Sequence, residues 1–491
     1  MARGQGSAGM AWVLPVALAC LILPLVFASS ALARTFTVTR ADDPTPGPCS
    51  KGDCSLREAV LAADGHPGGD SIEFARRLRG ETIDVTAGDI RIRRELNITG
   101  PGASKLSVSG NQQSRIFHMT GGHIAIQGIT IKQGRESATP TGPTCPNSTA
   151  PAFTLGGGIL EEAGELKLDH VQVRNNTVTT SLGGIIGGGG IANIDGTLEI
   201  TRSRVTQNAV DGGGISGGGG VLNCVGIVKL TRTTVANSSV SGASIDSGGG
   251  IANGLGAAHN TGQLTLKKST IERNDVSSDA IPGGGGLSTS GGPVTVMNST
   301  INDNSVTATG GGTLSDGGGV EISNATATFT NSTIANNLAS GANAAGGGIL
   351  VGGTGEKLVL HSVTLADNIA DGTNSRGGNL ESSESAHVLN SIVAKGKATT
   401  GANCDGAVKS SGHDLEDKNT CGFDGRGDLV NKNPRLRDLT RNGGPTRTMA
   451  LKLGSPAINH ASRKTSPRRD QRGFKRGLKP DIGAYEFGAK R

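Results

Sequence analysis

Two stretches decide the fold: LTLKKSTIERNDV (residues 264–276) and VTVMNSTINDNSV (residues 294–306). In each, the first and third residues are apolar and the second is polar, the alternation of a half-buried strand. The same block recurs as LKLDHVQVRNNTV from Leu166, LEITRSRVTQNAV from Leu198, VKLTRTTVANSSV from Val228, ATFTNSTIANNLA from Ala327 and LVLHSVTLADNIA from Leu358. Its eighth residue is always apolar: Val173, Val205, Val235, Ile271, Ile301, Ile334 and Leu365. Glycine clusters, each closed by one apolar residue, punctuate the blocks at Ile159, Ile191, Val221, Ile251, Leu287, Val320, Ile349 and Leu380, 29 to 36 residues apart.

A repeat of this length means a solenoid or an array of blades. With the strand that opens at each Gly-apolar mark, a repeat holds about three short strands, too few for a four-stranded propeller blade. A leucine-rich pattern is missing, and Gly and Thr abound where helical repeats need helix formers. The reading is therefore all-β, a parallel β-helix in which each repeat is one coil. Register then stacks equivalent positions, and the eleventh residue of the block is Asn176, Asn208, Ser238, Asn274, Asn304, Asn337 and Asn368. This column predicts an asparagine ladder, amides donating coil to coil at an inward turn that water does not reach.

Composition agrees. Of 491 residues, 80 are Gly and 34% are apolar; the glycines lack the three-residue period of collagen, and the Val/Ile/Leu/Thr segments between them exclude a disordered chain. Residues 1–33 read as a signal peptide: Arg3, an apolar run from Ala11 to Phe27, and the small-x-small pattern Ala31-Leu32-Ala33. Cleavage is expected after Ala33, leaving a soluble exported chain with no later transmembrane segment and six cysteines. Cys49 with Cys54, and Cys404 with Cys421, are the pairs that close short loops; Cys145 with Cys224 follows only by elimination.

The ends depart from the repeat, as solenoid caps do. Ser55-Leu56-Arg57-Glu58 predicts a capping box opening a short helix through Ala63, and residues 34–133 read as this N-terminal cap with the first coils. The repeat body spans 134–400, with 134–153 a loop, and C-terminal coils with a basic capping segment fill 401–491. Cys54-Ser55-Leu56-Arg57-Glu58-Ala59 resembles the CSLREA motif of exported bacterial proteins. Asn442-Gly443-Gly444-Pro445-Thr446, Asp470-Gln471-Arg472-Gly473 and Asp481-Ile482-Gly483-Ala484-Tyr485-Glu486 resemble the choice-of-anchor Q proteins, and the Gly-Gly-Gly-Ile repeats are similar to those of polymorphic outer membrane proteins. The resemblance implies a right-handed, pectate-lyase-like β-helix of an extracellular or surface-associated protein, with periplasmic residence open, and no particular reaction. Relatives continue into an anchor or a barrel; this sequence stops at Arg491, and secretion or loose surface association is the expectation.

Net charge is +6, yet residues 431–491 hold 16 Lys/Arg against 4 Asp/Glu. Such asymmetry suggests a polyanionic partner, an acidic polysaccharide or cell-envelope component, met by Arg463, Lys464, Arg468, Arg469, Arg472, Lys475, Arg476 and Lys479. Without aromatic platforms beside these charges, nucleic acid is disfavoured. The competing class is a polysaccharide lyase or glycoside hydrolase. Its best local group is Asp169, as acid or metal ligand, His170 and Arg174, with Arg202 and Arg204 one coil on and Arg174 or Arg204 as base or charge stabiliser, although these are variable polar positions of the repeat. Asp211, Asp246 and Asp316 precede glycine clusters and read as turn residues rather than calcium ligands. Neither a metal nor a cofactor is expected, and a binding scaffold or adhesin-like protein is the reading preferred over catalysis.

Overall fold

The computed structural model describes residues 32–137, 144–146, 153–181, 183–255, 261–310, 314–353 and 355–490. The basic n-region and apolar run of the leader fall outside them. From Ala33 onward the residues form one compact unit, a right-handed parallel β-helix capped by a short helix. One coil, Ile191–Gly217, shows the building unit. Strands Ile191–Asn193 and Thr197–Thr201 join a 22-stranded sheet, and Arg204–Thr206 joins a twelve-stranded one. Ala209–Gly212 and Ile215–Gly217 then enter sheets of eight and seven strands.

Five strands thus make this coil where three were expected. The extra pair forms a second layer beside the body, because the last block residue (Val178, Val210, Val240, Val276, Val306) is buried with Ile186 in a core of its own. Within the coil, the first block position stacks Leu166, Leu198, Val228, Leu264, Val294, Ala327 and Leu358 in register. All are buried in the main core, as is the column of Val173, Val205, Val235, Ile271, Ile301, Ile334 and Leu365. Identical spacing becomes a continuous hydrophobic seam, which is why a chain with so few aromatics can still bury a core.

Two corners repeat with unusual backbone. Block position five (His170, Arg202, Arg232, Lys268, Asn298, Asn331, Ser362) has φ of 46 to 56°. Position ten (Asn175, Gln207, Asn237, Arg273, Asp303, Asn336, Asp367) has φ of 52 to 58°. A non-glycine residue there costs roughly 1–2 kcal/mol; an inward polar side chain follows the second corner in every block and the first corner in all but two, where Val171 and Val363 join the core. After the first corner, Ser203, Ser269, Ser299, Ser332 and Ser391 accept from the backbone N–H of the previous coil at 3.0 to 3.2 Å.

After the second corner comes the asparagine ladder. The amide of Asn176 donates to Asn208 Oδ1 (3.0 Å), Asn274 to Asn304 (2.9 Å), Asn304 to Asn337 (3.0 Å) and Asn337 to Asn368 (2.9 Å). Asn379 and Asn403 extend it, and every member is buried. Glycine clusters and ladder are one device: a Cβ on Gly286 would stand 2.9 Å from Asn304 Nδ2 and 2.7 Å from the Gly319 carbonyl, so only glycine fits. A second ladder, Asn193 to Asn223 to Asn253, ends on Thr289. Its continuation toward the N-terminus is Glu161, in register with Asn193 and wholly buried.

At the N-terminal end the helix Leu56–Asp64 carries the full capping box between Ser55 and Glu58, and buries Leu56, Ala59, Val60 and Ala63 over the first coils. The predicted loop 134–153 contains the strand Arg135–Glu136, which pairs with Thr177–Val178, and the start of Phe153–Leu155. Disulfides join Cys49 to Cys54, Cys404 to Cys421 and Cys145 to Cys224. Among the described residues, no helix is long and apolar enough to cross a membrane.

The C-terminal segment is more than an end cap. It folds back along the outside of the twelve-stranded sheet, where Leu436, Met449, Leu451, Ala457 and Ile482 bury Ala335, Ala366, Ile392, Ala394 and Leu415. Gln471 reaches Thr300 and Thr333, Ala484 N–H donates to Thr364, and Gly483 N–H to the Asn390 carbonyl. This strap is locked by Arg472, forked onto Asp470 and stacked 3.7 Å from the Tyr485 ring, and by Arg476 on Glu486, Asn331 and the Gly483 carbonyl. The motif residues near the C-terminus are thus the clasp of the strap.

Candidate functional site

Block positions seven and nine face outward on the twelve-stranded sheet. In the later coils they are covered by the strap, whose leading edge is Arg447 on Glu272 (3.3 Å) and Asp303 (3.8 Å). Upstream the sheet is open and carries Lys132, Gln172, Arg174, Arg204 and Thr206. The loop Gly102-Ala103-Ser104 walls a cleft of about 430 Å³ there, floored by His170, Val171, Gln172, Arg202 and Arg204.

Three of the five residues singled out from sequence, His170, Arg202 and Arg204, line this cleft, and a fourth, Asp169, is paired with two of them. Arg202 Nε and Nη2 grip Asp169 at 3.0 and 2.6 Å, His170 Nδ1 lies 3.0 Å from the same carboxylate, and Arg204 lines the wall. Arg174 stands one coil back on the sheet, in register with Thr206. The hydrogen bonds from Arg202, aided by His170, hold Asp169 below the usual carboxylate range. A carboxylate so paired is a poor proton donor, and a guanidinium is no base near neutral pH.

Sequence reading missed what extends it. The left-handed corner that holds His170 and Arg202 carries Arg232 and Lys268 in the next two coils, stacked by N–H bonds from Arg202 to Thr231, Arg232 to Lys267 and Lys268 to Met297. The strap then docks on the same corner, Thr446 on Asn298, Arg469 carbonyl on Asn331, and Thr465 on Asn390. Basic side chains of the repeat and of the strap therefore lie along one edge. The signal was visible as block position five, which reads His, Arg, Arg, Lys before turning to Asn.

The basic segment itself needs a correction. Arg463, Lys464, Arg468, Arg469, Lys475 and Lys479 are exposed, whereas Arg472 and Arg476 are buried at 8% and 6% exposure. Their guanidiniums serve Asp470 and Glu486 inside the clasp and are withdrawn from any partner. Asp246 is likewise internal, accepting from Ser216 Oγ and the Ala243 N–H.

Two further clusters of titratable groups lie where the 22-stranded sheet meets the second layer. His118 lies between Glu162 and Asp89, and Arg115 bridges Asp89 and Glu136. Burial opposes the charge on Asp89, but the bond from His118 and the Arg115 charge bring it down to about 2. Farther along, burial and the nearby charges of Glu321 and Glu381 raise Asp316 to about 7. Glu321 accepts from Ser288 Oγ at 2.8 Å. Among the described residues, no group of three or more His, Cys, Asp or Glu is placed to hold a metal ion.

No family model matches the chain, and no curated protein matches it. Among solved structures it is similar to pectate lyase Pel9A, with 12% identity over 93% of this chain and 97% of that one, at a TM-score of 0.40.

Proposed function

We propose that this is an exported, CSLREA and choice-of-anchor Q type β-helical scaffold that binds an acidic polysaccharide or cell-envelope polymer along its basic corner. The carrying observation is the stacking of His170, Arg202, Arg232 and Lys268 at one corner position, with the strap's exposed cations laid along its continuation. Coils repeat every ~4.8 Å, so a linear polyanion lying along the axis passes one basic side chain per coil from His170 to Lys268. Three disulfides fit an oxidising compartment.

The test is affinity for heparin and polygalacturonate across a salt series. Arg202→Ser with Arg232→Ser and Lys268→Ser should weaken binding and flatten its salt dependence, since exposed charges are screened beyond ~8 Å at physiological salt. Unchanged affinity would move the reading off this edge.

A second reading, glycan cleavage, draws on Asp316. A carboxyl still protonated near neutral pH is what a glycosidic leaving group requires. Product formation lost in Asp316→Asn but kept in the corner variant would favour it.

A further inference from the structure

Asp70 is wholly buried, and two donors reach it. The backbone N–H of Arg34 lies 2.7 Å from Oδ1, and His66 Nδ1 lies 3.1 Å from both oxygens. The amide and the imidazole satisfy its oxygens without a permanent countercharge, which an ammonium at the Arg34 nitrogen would add. The amide in question is the bond at which the leader is expected to end. Leu32, Ala33 and Arg34 are exposed and irregular, with the strand starting only at Thr35.

We propose that Asp70 is a built receptor for the N-terminus that processing creates: cleavage between Ala33 and Arg34 turns the Arg34 amide into an ammonium paired with Asp70. The inference rests on the export reading above. Chemically, a leader peptidase adds water across the Ala33–Arg34 bond. Ala33 departs as a carboxylate with the leader, and the Arg34 nitrogen leaves as an amine that takes up a proton. That nitrogen is already in place. Thr35–Val38 runs parallel to Asp70–Phe74 with Thr35 opposite Ser71, and Ser71 N–H donates to the Arg34 carbonyl at 2.8 Å. Position is therefore set by the sheet and charge is supplied by the cut. The uncut chain closes its first parallel pair with an amide and the His66 ring on Asp70, and the mature chain replaces that amide by an ammonium.

The experiment exports the full chain, sequences the N-terminus of the mature protein, and follows labelling of its α-amine by an amine-reactive ester at neutral pH. Arg34 should be the first residue, and its amine should label at least about ten-fold more slowly in the folded protein than in urea, a one-unit rise in amine pKa being a ten-fold loss of free amine. Asp70→Asn should restore fast labelling. Because that variant could fail to fold, a second chain with one Gly inserted before Arg34 displaces the ammonium by about 3.5 Å; it too should label fast and unfold at a lower temperature. A mature chain starting elsewhere, or an uncut one, overturns the proposal together with the processing step. A start at Arg34 with labelling as fast as in urea overturns the pairing and leaves processing standing.

Discussion

Glu161 is the member of the second ladder that does not belong there by charge. Its side chain is wholly buried between Met119 and Asn193 in register, and among the described residues neither carboxyl oxygen has a hydrogen-bond partner. Burial raises its pKa from 4.5 to about 8. The sign follows from linkage: above about pH 4.5 the unfolded chain releases this proton while the folded chain keeps it until about pH 8, so stability falls through that window. At about 1.4 kcal/mol per pH unit, the loss accumulated by pH 7 is on the order of 3 kcal/mol. Glu161→Gln removes the proton linkage and keeps the shape, with an amide able to continue the ladder to Asn193. Denaturant unfolding of both proteins at several pH values gives the answer. The variant should match the parent near pH 4.5 and gain roughly 2–4 kcal/mol by about pH 7.5. A gain that does not change with pH would refute the reasoning, because other raised acids, such as Asp316, are common to both proteins.

Other outcomes follow from the same contacts. Asn304→Ala strips an acceptor from both the backbone N–H and the side-chain amide of Asn274 and should cost ~1–3 kcal/mol in unfolding free energy; a loss below about 0.5 kcal/mol would deny the ladder its structural role. Cys404 and Cys421 should appear as one non-reduced peptide pair by mass spectrometry, and replacing both by Ser should destabilise the C-terminal coils by ~3 kcal/mol, the expectation for a loop near this length. Arg476→Met leaves Glu486 buried without its partner, a loss of ~3–5 kcal/mol that should show as rapid proteolysis of the strap while the coils persist. Asp169→Asn frees Arg202 and should tighten binding to polyanions at low salt; weaker binding would mean that the carboxylate itself contacts the ligand.

The fold was legible because a solenoid writes each structural position many times. One Val at position eight means little, but seven apolar residues there define a column, and six Asn at position eleven define a ladder. What appears only once was illegible. The strap has no repeat to reveal it, although outward positions turning from Gln172 and Arg204 to Ala335, Ala366, Ile392 and Ala394 mark where something apolar must lie. The basic tail misled for a related reason: counting charge cannot separate Arg468, which is exposed, from Arg472 and Arg476, whose buried partners Asp470 and Glu486 are met through folding. The extra strands of the second layer were hidden by brevity, since three-residue strands of Val, Ser and Gly lack the alternation that betrays longer ones. At the site, Asp169 and Arg202 are neighbours because one coil separates them, so the period alone brought them together.

The strap also limits how this protein can change size. The Cys145–Cys224 disulfide ties the coils upstream of it, but duplicating a whole coil between Cys224 and Glu272 would leave each ladder bond and corner to be remade by an equivalent neighbour, outside the reach of the strap. Its anchors, by contrast, are spaced along Thr300, Thr333, Thr364 and Asn390. One added coil within that interval would shift part of them by ~4.8 Å, well beyond hydrogen-bond reach. The C-terminal third therefore has a fixed length, set by a tether, while the stretch between Cys224 and Glu272 is free to be lengthened by tandem duplication. Natural length variants of such chains should differ in coil number ahead of Thr300 and agree after it.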